Sequence, residues 1–294
     1  MEHQLWKAIV ALLATLDKPR TATRFTFSDE AIVKVYYWSV ICDRPTSWAC
    51  QKANWPLHLR KPPLPSPSAM SRRLRSASVV VLLDALERRV TAPKGPGLFW
   101  LLDGKPLPIG GCSKDRQAGY GRAAAGKAKG YKLHTLAGAD GSLAGWRVAP
   151  MNKDERVMAE RLLKAAPPEV VGYVLADANF DSNKLHQVCD GRGNLQLVTP
   201  RRYGPAKGTG HRKQAAGRLR SIELTESPFP AFAEQLLKDR GEVERQFGNL
   251  TNWGGGLTCL PPWVRTHRRV RRWVQAKLAL TAIKRQAGVT TCAA

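Results

Sequence analysis

The stretch from Gly172 to Ser182, GYVLADANFDS, constrains the fold more than any other in the 294-residue chain. Its first four residues are short, apolar and β-branched or aromatic, the composition of a buried strand. Asn179, Asp181 and Ser182 form turns and caps, so the strand is predicted to run into Asp177 and a helix to begin near Ser182. Active-site carboxylates sit at such strand ends. A second strand-borne carboxylate, Asp103, precedes it in LFWLLDG from Leu98. A third, Glu244, follows on a predicted helix in RGEVERQF from Arg240.

The surrounding pattern separates two regions. Residues 1–90 carry helical spacing. Leu5, Ile9, Leu12, Leu13 and Leu16 form one run, and Ser28-Asp29-Glu30 caps a second through Ile32, Val33, Tyr36, Tyr37 and Val40. A short helix is predicted at Ser47. Ser66-Pro67 places a cap and a first-turn proline before a basic helix with Arg72, Arg73 and Arg75, and a further helix covers Val79 to Val90. Arginines at such a helix start suit phosphate and base-edge contacts, so residues 1–90 are expected to form a helix-turn-helix-like DNA-binding region, the other reading of this stretch being a solvated basic helix. Residues 91–97, rich in Pro and Gly, read as a linker.

Beyond the linker the period changes. Leu98 to Leu102 is a predicted strand, and Tyr131 to Ala137 and Leu143 to Val148 form a predicted hairpin around Gly138-Ala139-Asp140-Gly141-Ser142. A helix over Asn152 to Ala166, the Asp177 strand, a helix from Ser182 to Cys189 and a strand at Leu195 to Thr199 follow. Three strands, a helix, a strand, a helix and a strand predict a mixed α/β sheet with helices on its faces, the element order of a ribonuclease H-like core. The expected boundaries are 98–253 for this core and 254–294 for a basic C-terminal helix.

Charge narrows the partner. Forty-seven Lys and Arg against 23 Asp and Glu leave +24, and with 43% hydrophobic residues the chain is globular rather than disordered. Such a surplus fits a polyanion, nucleic acid before all. No apolar run approaches the roughly 18 residues a spanning helix needs, and no secretory cleavage pattern follows Met1. Six cysteines without Cys-x-x-Cys spacing fit neither a zinc site nor a disulfide framework, so a reducing, cytoplasmic, nucleoid-associated setting is expected. Ser113 to Lys132 holds six Lys or Arg against one acid, and Arg201 to Arg220 holds seven and none. Both read as basic loops able to grip a phosphodiester backbone. No acidic residue follows Glu244, while Arg265, Arg268, Arg269, Arg271 and Arg272 cluster with Trp263 and Trp273, which predicts a DNA-contacting or dimer-supporting helix.

Three carboxylates suit one chemistry. In-line displacement at a phosphodiester needs charge neutralised on the attacking and the leaving oxygen, and two divalent ions roughly 3.5–4 Å apart do this. Carboxylate oxygens are ligands for hard Mg²⁺, with Mn²⁺ as a substitute. On a helical wheel Leu236, Val243, Phe247 and Leu250 share a face. Arg240, Glu244 and Thr251 fall beside it and Glu242 on the opposite flank, so Glu244 sits at a core border that suits either a metal ligand or an ordinary i, i+4 surface ion pair with Arg240. Asp115, Asp140, Asp154 and Asp181 are expected to cap or turn the chain, and His134 to pack.

Four co-linear segments strengthen the reading: LLDGKPLP at Leu101 to Pro108, GYKLH at Gly130 to His134, LADANFDS at Leu175 to Ser182, and Arg240 to Gly248. Together they resemble the DDE transposases of bacterial insertion sequences over residues 98–253. The resemblance implies catalytic and metal-binding roles for Asp103, Asp177 and Glu244 and fits Arg240 to the family's signature, while DNA contacts by Arg240, Lys132, Arg72, Arg73, Arg75, Arg268 and Arg269 are expected from the basic loops and helices that carry them. It also implies cleavage at terminal inverted repeats, transfer of the freed 3′ hydroxyl into target DNA, and a homodimer on DNA. The family signature commonly has Tyr where this chain has Leu237 and Lys where it has Thr251. Two other readings stay open: a catalytically impaired, DNA-binding regulator, and a nuclease that hydrolyses without joining.

Overall fold

A computed structural model describes residues 2–17, 25–59, 63–110, 113–203, 213–226, 231–239, 241–253 and 256–286. They divide into two compact units. The first draws on 1–91, 250–257 and 272–294, and the second on 92–249 and 258–271.

The first unit is helical: α1 (Glu2–Thr15), α2 (Asp29–Ile41), the short α3 (Thr46–Ala49), α4 (Pro67–Arg73) and α5 (Ala77–Thr91). Ser28 and Ser66 cap α2 and α4, their hydroxyls accepting the Ala31 and Ala69 N–H groups. Nine residues of α2 are buried, so it is the central helix of the unit. Trp6, Trp38 and Trp55 pack edge-to-face and stacked, with centroids 5.1–5.8 Å apart.

The second unit holds a six-stranded sheet: β1 (Gly97–Pro108), β2 (Gly119–Ala123), β3 (Gly126–Gly138), β4 (Leu143–Pro150), β5 (Val170–Leu175) and β6 (Leu195–Val198). The order is β2-β3-β1-β5-β6, with β4 on β3. β1 runs antiparallel to β3 and parallel to β5, and β5 parallel to β6, so the expected mixed sheet is present. Helices α6 (Glu155–Ala165) and α7 (Asn183–Asp190) cover one face. Trp100, Leu102, Leu136, Leu162, Val174, Phe180 and Leu197 fill the core there. On the other face lie α8 (Ala216–Glu226), α9 (Ala231–Asp239) and α10 (Gly241–Gly248), over Leu101, Leu175, Val198 and Leu236. Gly172 has φ +85° and lies beside a register shift in the β1–β5 pairing. A Cβ there would come 2.4 Å from the Leu98 carbonyl oxygen, so only glycine fits.

The structure corrects several local expectations. β1 continues five residues past Asp103 to Pro108, because the full run pairs with β3. The stretch 113–132 is not a plain basic loop, since it folds as β2 against β3 through Gly126 at φ +105°. Arg201 to Arg220 is partly helical. Arg201, Arg218 and Arg220 pair with Glu226, Asp181 and Asp190. The C-terminal helix α11 (His267–Gln286) is no appendage: from Val270 to Lys284 most of it is buried. Its residues from Arg272 onward belong to the helical unit, where the buried Lys277 donates to the Val40 carbonyl and pairs with Asp43. Cys42, Cys50, Cys189 and Cys259 are free thiols. No described helix is long and apolar enough to cross a membrane.

Candidate active site

Asp103 on β1 stands level with Asp177, which lies two residues past the end of the neighbouring parallel strand β5. Leu101 pairs with Leu175, and each carboxylate lies two residues further on. Because side chains alternate across a strand, both share the face of Leu101 and Leu175, whereas Leu102 and Ala176 enter the opposite core. The backbone at Asp177 is still extended, with φ −78° and ψ 172°. Its Oδ1 accepts the Asn179 N–H at 2.8 Å, capping the 3₁₀ turn Ala178–Phe180 that ends the strand.

Asp103 Oδ1 accepts the Gly104 N–H at 2.6 Å. Its pKa is pushed up to about 6, first by burial and then by the Asp177 and Glu155 carboxylates, against the lowering effect of the Gly104 N–H and Lys132. A half-buried carboxyl facing a second carboxylate favours a cation between them, and an all-oxygen donor pair suits a hard divalent ion. The two aspartates fit such an ion on this ground.

Glu244 lies on α10, over the same sheet face. Phe247, one helical turn on, packs against the Leu101–Leu175 core, and Gln246 Nε2 donates to the Gly138 carbonyl at 2.9 Å. The Glu244 side chain is exposed, and among the described residues no three His, Cys, Asp or Glu side chains form a metal cluster. The structure therefore brings Asp103 and Asp177 together and sets Glu244 on the helix facing them. Arg240 and the side chains of Leu237 and Val243 lie outside the described residues. Leu250, expected on the Phe247 face, groups with the helical unit.

Two of the expected DNA contacts are engaged within the chain. Arg73 is buried, paired with Asp29 and seated 3.8 Å over the Phe25 ring, because α4 turns that side inward. Lys132 is half-buried and paired with Glu155, the first residue of α6. Arg72, Arg75, Arg268 and Arg269 are exposed.

Sequence reasoning missed three neighbours. Glu155 read only as part of a helix start, and its proximity to Asp103 arises across the sheet. Lys105 could have been found by counting two from Asp103, since it shares that face and approaches the Phe247 ring at 6.0 Å. Arg218 grips Asp181 with two bonds of 2.7 Å, joined by the Arg202 N–H at 3.0 Å. Burial alone would raise the Asp181 pKa, but these partners and His186 hold it well below the usual carboxylate range. Asp181 thus anchors the turn carrying Asp177, as its expected turn role requires. His134 is buried and pushed down to about 4 by burial and the Lys132 charge, so it stays neutral and packs.

A family model described as "Transposase DDE domain" matches residues 94–281. Similar solved structures include a piggyBac transposase synaptic complex with hairpin DNA. It is 13% identical and covers 97% of this chain and 71% of that one, with a TM-score of 0.47. Another is an intasome of simian T-cell lymphotropic virus in complex with the PP2A regulatory subunit B56 gamma, 14% identical over 58% and 59% of the two chains, with a TM-score of 0.25. No curated protein matches the chain.

Proposed function

The chain belongs to the transposase DDE domain family, and on that premise we propose that it cuts DNA at the ends of an insertion sequence and joins the freed ends to target DNA. The carrying observation is the pair Asp103 on β1 and Asp177 just past β5, level with each other under the helix that bears Glu244. These three carboxylates are the proposed ligands for divalent cations, Mg²⁺ with Mn²⁺ as substitute, which when bound neutralise charge on the attacking and leaving oxygens of the phosphodiester.

The chain's own groups do the rest. The Gly104 N–H and the Asn179 N–H fix the two aspartates, so their oxygens are set before DNA arrives. The Lys132–Glu155 pair fills the space beside Asp103 that Gly104, lacking a side chain, leaves open: a Cβ there would come 2.9 Å from Lys132 Cδ. The Asp181–Arg218 pair holds the far end of the turn after Asp177. Water attacks the phosphodiester at the element's end, and the 3′ hydroxyl so freed attacks target DNA in the same site. Arg72 and Arg75 on α4, together with Arg268, Arg269 and Arg240, contact the DNA backbone, and two copies of the chain serve the two ends.

The test is a Mg²⁺-dependent cleavage-and-joining assay on DNA carrying the sequences that flank the gene, with Glu244→Gln alongside. Joined products that vanish in the variant support the reading. Cleavage without joints would make the protein a nuclease, and binding without cleavage in either protein would make it a regulator.

A further inference from the structure

Besides the carboxylate site, the sheet unit carries a second built feature. Along the outer edge of β4 runs a groove of about 790 Å³, walled by α6 on one side and by the first turns of α11 on the other. Its lining includes Arg147, Lys153, Arg161, His267 and Arg271, together with Trp146. One acid, Asp154, lies in it, and that carboxylate caps α6 and is held by Arg156 through bonds of 3.0 and 3.3 Å. Among the described residues Arg147, Lys153 and Arg161 have no acidic partner and are exposed. Several other basic side chains of this unit are paired: Lys132 with Glu155, Lys164 and Lys184 with Glu160, Arg218 with Asp181.

The groove has a rigid floor. β4 pairs with β3 from Tyr131–Pro150 to Ala137–Leu143, and the free edge of β4 is closed by His267, whose ring nitrogen lies 2.8 Å from the Val148 carbonyl oxygen. Arg271 lies 5.6 Å above the Trp146 ring. The register relates the groove to the carboxylates through Trp146 alone, since Asp103 pairs with Thr135, which pairs with Trp146, whereas Arg147 alternates to the α6 face. Trp146 is therefore two strands from Asp103 in one row, roughly 10 Å at 4.7–4.9 Å per strand.

We propose that this groove, at the β4 edge of the sheet, holds the sugar–phosphate backbone of double-stranded DNA, with Arg147, Lys153 and Arg161 each neutralising a phosphate. The proposal rests on the transposase reading and adds where on the sheet the duplex runs. Unpaired cations on β4, on α6 and on the turn between them match the negative charge of a duplex backbone.

The experiment measures binding of a random-sequence duplex by the full chain at 50–200 mM salt. It compares the wild type with the triple variant Arg147→Ala, Lys153→Ala, Arg161→Ala, after circular dichroism and melting have shown equal folding. Each lost phosphate contact removes about 0.9 from the slope of log K against log salt, so the triple variant should lose about 2.7. Over this fourfold salt range its affinity should fall roughly forty-fold less steeply than that of the wild type. Should the triple variant fail to fold, the three single substitutions carry the test, each expected to lose about 0.9. A folded variant with the wild-type slope overturns the groove while leaving the transposase reading intact. A wild type whose binding does not change with salt overturns both.

Discussion

Arg218→Ala tests whether Asp181 anchors the turn that carries Asp177. The Asp181 side chain is 3% exposed and the Arg218 side chain 12%, and Arg218 donates to both carboxylate oxygens at 2.7 Å. Deleting the guanidinium leaves a buried carboxylate with only the Arg202 N–H and His186 as partners, and breaking such a pair costs about 3–5 kcal/mol. At about 2–4 °C per kcal/mol for a domain of this size, the melting temperature should fall by roughly 6–20 °C near pH 7. The Asp181 pKa is lowered in the folded protein, so its contribution is fully present above the unfolded value of 3.8 and is lost as pH falls through the lower folded one. The gap between wild type and variant should therefore be widest at neutral pH and shrink as pH falls below about 4. Thermal unfolding by circular dichroism from pH 3 to pH 7 measures both. A loss under about 1 kcal/mol at pH 7, or a gap that widens on acidification, refutes the anchoring role. Because the turn from Ala178 to Asp181 follows Asp177 directly, cleavage should fall as well, although Arg218 touches no proposed ligand.

Asp103→Asn or Asp177→Asn should each lower DNA cleavage at least about a thousand-fold, since losing a ligand removes several kcal/mol of charge stabilisation. Filter binding of the same DNA should stay within a few-fold, and wild-type cleavage in either variant would remove that residue from the site. Glu244→Gln should match them and Glu242→Gln should not; equal losses would mean that the wrong flank of α10 had been assigned. Arg73→Ala should destabilise the helical unit by about 3–5 kcal/mol, seen in melting, whereas Arg72→Ala and Arg75→Ala should weaken DNA binding with no change in melting. Gly172→Ala should cost at least about 1–3 kcal/mol in chemical denaturation, from its positive φ and the Leu98 carbonyl contact.

Much of the fold was determined by sequence alone, because its signals are local. Caps at Ser28, Ser66 and Ser182 fixed helix starts through bonds spanning three residues. Two-residue alternation placed the hairpin and the strand before Asp177, and counting along strands put Asp103 and Asp177 on carboxylate-bearing positions. The element order sufficed to predict a mixed sheet. What lacked a local signal was missed: β2, whose GYGRA has no apolar alternation, forms a strand because β3 offers it a partner.

The state of the charges was decided only by the tertiary structure. Arg73 and Lys132 looked free in sequence, yet Asp29 lies 44 residues from the first and Glu155 23 residues from the second. Arg218 finds Asp181 across 37 residues, and Asp103 is pushed to about 6 by burial and by the carboxylates of Asp177, just past β5, and Glu155 on α6. α11, wholly basic in its charged residues, is mostly buried because its apolar side packs. Sequence fixes which groups a chain carries and where its elements begin. Burial and long-range pairing then decide which of them keep a charge to offer, since solvation and Coulomb energy depend on distance in space rather than along the chain.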